Sequence, residues 1–141
     1  MLKKKTSILD LISRKLAPFM LLFGLYLLTY GHTSPGGGFQ GGVVMASGII
    51  LLLVAQGDRA VESLLPFSTL SVAEVAAFVM FAAAGIAGIM AGVGFLGNPA
   101  TISAARAVPR VSMILILNLI IGIEVGSGIS LICLRLFREE Q

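Results

Sequence analysis

The sequence predicts an all-α integral membrane protein of four transmembrane helices, with a short amphipathic helix at the N-terminus. Three observations predict it. The 141-residue chain is 57% hydrophobic and only 12% charged, with a mean hydropathy of +1.00, far from the range of soluble globular domains. Its apolar runs approach or exceed the roughly 20 residues that a bilayer crossing takes. Gly, Pro, Asn and Asp punctuate the gaps between those runs. No internal repeat, heptad or low-complexity tail divides the chain, so residues 1–141 read as one membrane domain.

The N-terminal stretch carries Lys3, Lys4, Lys5, Arg14 and Lys15. Ile8, Leu11, Ile12 and Leu16 recur there at helical spacing, with Ser7 and Asp10 as possible caps. This is the pattern of an amphipathic helix on a membrane surface. The apolar run that follows has no small-x-small cleavage site, so the segment reads as retained. The first span is expected over 16–30. It is short for a crossing and borrows turns from the preceding helix. Pro18 stands near its start, where a missing N–H costs least. Tyr26 and Tyr30 suit the far interface.

The second span is expected over 38–55, stopped by Asp58 and Arg59, with a linker from Gln56 to Leu70. The third is expected over 72–96. Ser71-Val72-Ala73-Glu74 fits a capping box, and Leu70 with Val75 fits the hydrophobic staple. Ala84, Gly88 and Gly92 form one small-residue row, and Ala83, Ala87 and Ala91 another, both suited to helix contact. Gly97-Asn98-Pro99 ends the span, and Asn98 can cap a short helix through Ala105. The fourth span is expected over 111–137, with Asn118, Gly122, Gly126 and Ser130 on one i, i+4 row.

Basic residues orient the bundle. Four spans place both termini on one side, with eight Lys and Arg, against Arg106 and Arg110 on the other. The positive-inside rule then makes both termini cytoplasmic. The net charge of +3 is explained by these helix-end positions and does not indicate nucleic acid. Cys133 is the only cysteine, so no intrachain disulfide forms, and it suits a small buried side chain. One histidine, His32, excludes a multi-histidine metal site from this chain alone. No nucleophile elbow, zinc motif, dinucleotide fingerprint or haem-attachment motif occurs, so no catalytic residue, metal or cofactor is expected.

The most distinctive stretch joins the first two spans. Gly31-His32-Thr33-Ser34-Pro35-Gly36-Gly37-Gly38-Phe39-Gln40-Gly41-Gly42 is half glycine. It cannot be ordinary helix throughout. A phosphate cradle is excluded, because no Gly-Lys-Ser/Thr follows and no strand precedes. Two readings stand: a plain surface turn, or a broken helix entry packed on a partner subunit through the row Gly38, Gly42 and Ala46.

Residues 32–42 of this stretch, flanked by apolar helices, resemble the signature of the MnhB/MrpB family, the B-type components of Mrp-type multisubunit sodium/proton antiporters. A similar component occurs in respiratory complexes built on Mrp parts, such as membrane-bound hydrogenases. The resemblance implies a small subunit of a cation (Na+)/proton antiporter in the cell membrane. It implies partners of the Mrp A, C, D, E, F and G types, and large antiporter-like subunits that do the main proton work. This chain would help form the interface through which a cation passes. Two alternatives accompany it: the equivalent part of a redox-driven ion pump, and a structural scaffold with no ion path.

Within that frame the candidate ion-path or proton-relay residues are Glu124, His32 and Glu74. Glu124 lies near the middle of an apolar span, where a charge costs ~2.5–3.5 kcal/mol on insertion scales. It must face protein or water, either as a relay or tied to a partner. Ser127 is expected to offer it a hydroxyl, and Gly128 to leave room beside it for water or a cation. Glu74 is explained by the capping box, with an interfacial cation contact as the alternative. His32 titrates in the right range for proton exchange, or is a hydrated loop residue. Asn118 and Gln40 suit interhelical hydrogen bonds. Pro35, Gly36, Gly37, Gly38, Phe39, Gln40, Gly41 and Gly42 are expected to serve the motif and subunit packing.

Overall fold

The computed structural model describes residues 7–31, 36–97 and 110–139. These form five helices: α1 (Ser7–Tyr30), α2 (Gly38–Gln56), α3 (Asp58–Leu64), α4 (Phe67–Met90) and α5 (Arg110–Glu139). All but α3 are long and apolar enough to cross a membrane, so the chain is a multi-pass membrane protein. No strand occurs among the described residues.

The expected surface helix and first span share one element. Residues from Ser7 onward are the opening turns of α1, which runs unbroken through Pro18 to Tyr30. Pro18 is therefore interior rather than near the start, and the Arg14 carbonyl lacks its usual helical donor. Asp10 accepts from Arg14 Nε at 3.2 Å, one turn along. On the outer face of α1, Tyr26 and Tyr30 stack with ring centroids 5.0 Å apart, and both are exposed.

The helices lie side by side in the order α1, α2, α5, α4. Lipid tails supply no hydrophobic drive between helices, so close backbone approach matters, and small residues provide it. A side chain at Gly24 or Gly48 of α1 and α2 would run into the facing helix: Met45 and the Gly41 carbonyl in the first case, Met20 in the second. At one end of the array, Ile49, Leu53, Val61, Leu70, Leu131 and Leu134 join α2, α3, α4 and α5 in a single apolar core. Cys133 is partly buried against it. Elsewhere the large apolar side chains, such as Phe19 and Leu22 of α1 and Val75 and Val79 of α4, face outward.

Three expectations change around α4. The linker from Gln56 contains α3, whose Val61 is buried in the core. The helix does not begin at a Ser71 capping box; its N-cap is Pro66, and the Pro66 carbonyl accepts from Thr69 and Leu70. Burial is the reason, because starting at Phe67 lets Leu70 enter the core, which outweighs a local capping preference. The span also ends at Met90, short of 96. The Val93 amide bonds the Gly88 carbonyl, the Gly92 amide bonds that of Ile89, and Gly92 takes φ +76°. This is a Schellman stop, so Gly92 leaves the row expected with Ala84 and Gly88. The loop after it folds back onto the helix, with the Phe95 ring against Gly85. The short helix expected from Asn98 to Ala105 lies outside the described residues.

Candidate functional site

The glycine-rich junction brings two helix ends into backbone contact. A Cβ at Gly31 would lie 2.6 Å from the Gly37 Cα. Gly37 takes φ +150°, ψ −177° and offers α2 no side-chain cap. The cap comes from another helix: Asn118 Oδ1 on α5 accepts the Gly38 amide at 3.3 Å. This is the interhelical bond expected of Asn118. His32 and Pro35 lie outside the described residues.

The remaining motif residues divide by face. Gly38 and Gly42 press on α5, where an added Cβ would come within 2.6 Å of the Asn118 carbonyl and 2.7 Å of the Gly122 carbonyl. Gly41 presses on α1, where a Cβ would meet the Leu28 side chain at 2.7 Å. Gly36 borders the Leu27 carbonyl. Phe39 and Gln40 point away, exposed. The row Gly38, Gly42, Ala46, expected against a partner subunit, is thus occupied within the chain. Ala46 is fully buried. On the facing α5 row Asn118 caps Gly38 and Gly126 borders the Gly42 backbone, while a side chain at Gly122 would run into Leu28 of α1.

The opposite side of α5 carries the acidic residues. Glu124 sits near the middle of the apolar stretch Met113–Glu139, partly buried. It lies about 200° around from Gly122, away from α2. Ser127 does not serve it as expected: its hydroxyl donates to the Ile123 carbonyl at 2.6 Å and the Glu124 backbone carbonyl at 3.2 Å. A helical serine commonly bonds back in this way. Nor is the space beside Gly128 open for water or a cation. The Glu74 carboxylate of α4 fills it, with Oε1 3.1 Å from where a Gly128 Cβ would stand.

Glu74 is therefore not a capping residue. It lies two turns inside α4, on the stripe Phe67, Leu70, Glu74, Ala77 that faces α5. Ala77 is completely buried. Glu124 is one turn from Gly128 along α5, the residue that Glu74 meets. Among the described residues neither has a hydrogen-bond or ion-pair partner.

The family model for a domain related to the MnhB subunit of Na+/H+ antiporter matches residues 8–131, from α1 into α5 and including Glu74 and Glu124. The chain belongs to the MnhB family. The B-type component of the Na+/H+ antiporter of Bacillus subtilis is 42% identical over 71 residues, half of each chain. Its counterpart in Alkalihalophilus pseudofirmus is 35% identical over 66 residues, 47% of this chain and 46% of that one. An uncharacterized protein of Methanocaldococcus jannaschii is 28% identical over 131 residues, 89% of this chain and 50% of that protein. The MnhB chain described here spans about half the length of the curated relatives it matches.

Glu74 and Glu124 of this MnhB chain were legible in the sequence, but the contact of Glu74 with Gly128 was not. The signal was present. Counting α4 from Pro66 puts Phe67, Leu70, Glu74 and Ala77 on one stripe of spacing 3, 4 and 3, the pattern of a helix seam. The capping box obscured it by moving the start to Ser71.

Proposed function

We propose that this protein is a small membrane subunit of a multisubunit Na+/proton antiporter, and that Glu124 and Glu74 line part of its inter-subunit ion path. Membership of the MnhB family supports the assembly. The single observation that carries the path is the Glu74 carboxylate lying on Gly128 of α5, one turn from Glu124. One of the two carboxyls takes up a proton when a cation leaves, and releases it when a cation enters. His32, in the sequence between the first two spans, is a further candidate residue for that path. The protein works as a transporter part and not as an enzyme. Its partners are Mrp subunits of the A, C, D, E, F and G types, and it sits in the cell membrane with both termini cytoplasmic.

The test pairs assembly with transport in the same membranes. Glu124→Gln keeps size and hydrogen bonding but removes the titrating group. The complex should assemble on a native gel while Na+-dependent proton movement falls sharply, and Glu124→Asp should retain part of it. Glu74→Gln should behave like Glu124→Gln. Normal assembly with wild-type transport in both Gln variants leaves the protein as a scaffold. Nickel–iron or iron–sulfur subunits among the co-purifying proteins would place it in a redox-driven pump instead.

A further inference from the structure

The foot of α4 is gripped from α5. The Phe67 ring carries the Arg135 guanidinium 5.2 Å from its centroid and that of Arg138 at 5.9 Å. Arg138 also pairs with Glu62 of α3. Both arginines lie beyond the residues matched by the family model. Beside Leu70 in the core and the buried Ala77, α4 packs chiefly on α5 and is the least buried of the long helices. Phe67 and Glu74 are seven residues apart, two turns along the same seam. A helix is stiff over two turns, so a displacement of Phe67 is transmitted to Glu74.

We propose that Phe67, clasped by Arg135 and Arg138, is a positioning residue that holds the Glu74 carboxylate on Gly128. The clasp attracts through the ring face, a property of the aromatic quadrupole that an aliphatic side chain of similar bulk lacks. It fixes where α4 stands along α5 and so the spacing of Glu74 from Glu124. The proposal rests on the ion-path reading for its functional meaning, but the placement can be tested without transport.

Dicyclohexylcarbodiimide adds to protonated carboxyl groups in membranes, and peptide mass spectrometry assigns the site. In membranes holding the whole complex, the ratio of Glu74 to Glu124 labelling rates is compared between wild type, Phe67→Leu and Phe67→Tyr. Phe67→Leu should change the ratio about tenfold, the effect of losing two exposed cation–π contacts. Phe67→Tyr keeps the ring and should restore the wild-type ratio. General loosening raises both rates and leaves the ratio unchanged, which overturns the proposal. Arg135→Gln, at an exposed position, carries the same test if Phe67→Leu does not accumulate, with a shift of about threefold for the one contact it loses. A shifted ratio with unchanged transport retains the clasp and sinks the ion-path role of Glu74. An unchanged ratio in Phe67→Leu or, where that variant is absent, in Arg135→Gln sinks the clasp whatever transport does.

Discussion

Asn118 shows how one side chain connects distant parts of the chain. It supplies the acceptor that the first turn of α2 lacks, because Gly37 has no side chain to cap with. Asn118→Leu keeps the bulk and removes the acceptor. It should lower the midpoint of thermal unfolding in detergent, by the equivalent of about 1–3 kcal/mol for an unsatisfied buried amide. Asn118→Asp keeps an acceptor and should lose less. Equal midpoints for Asn118→Leu and wild type would mean that water caps α2 as well as Asn118 does. The same logic applies at Gly128. There Gly128→Ala puts a methyl 3.1 Å from the Glu74 carboxylate. If Glu74 serves the path, antiport should fall in this variant while the yield of the complex stays normal.

At the scale of the helices, glycines with the same name do different work. Gly42 lies against backbone of α5, with Gly122 and Gly126 both within 3.1 Å of an added Cβ. Backbone cannot swing away as a side-chain tip can, so Gly42→Val should separate α2 from α5 and reduce accumulation of the protein. Overpacking of this kind costs about 1–3 kcal/mol or more. Gly92 has nothing within 4 Å of a Cβ and matters only for its φ of +76°. Gly92→Ala should therefore cost only about 1 kcal/mol, the left-handed penalty, and should accumulate normally. Membrane yields measured side by side check the order. A Gly92→Ala yield below that of Gly42→Val would mean that the Schellman stop governs folding more than the α2–α5 contact does.

For the molecule as a whole, the basic residues bear on orientation. Counted along a chain of four spans, the lysines and arginines divide eight to two between the two sides, which favours cytoplasmic termini. In a Cys133→Ser background, a membrane-impermeant thiol reagent added outside intact cells should label Thr33→Cys and spare Glu140→Cys. The opposite pattern reverses the topology. In the array α1, α2, α5, α4 the seams are not equivalent. α2 is committed on both faces, to α1 and to α5. The contact of α4 with α5 holds the Glu74 carboxylate against Gly128, and the Phe67 clasp.

The number of spans, and the start of α2 at Gly38, were legible in the linear chain, because hydropathy and glycine content are local properties that a bilayer reads residue by residue. The intramembrane position of Glu124 was legible for the same reason. The start of α4 was not. Local capping chemistry at Ser71 competed with burial of Leu70 against Leu131 and Leu134, and a core assembled from four helices won. The small row of α2 could be recognised from spacing, but spacing does not say whether its partner belongs to another chain or to α5. Packing answered that, since Gly122 and Gly126 offer the matching bare backbone. The meeting of Glu74 with Gly128 depends on the register of two antiparallel helices, to which residues 54 positions apart in sequence contribute. Register is set by side-chain fit along the whole seam, and no single segment of the chain contains it.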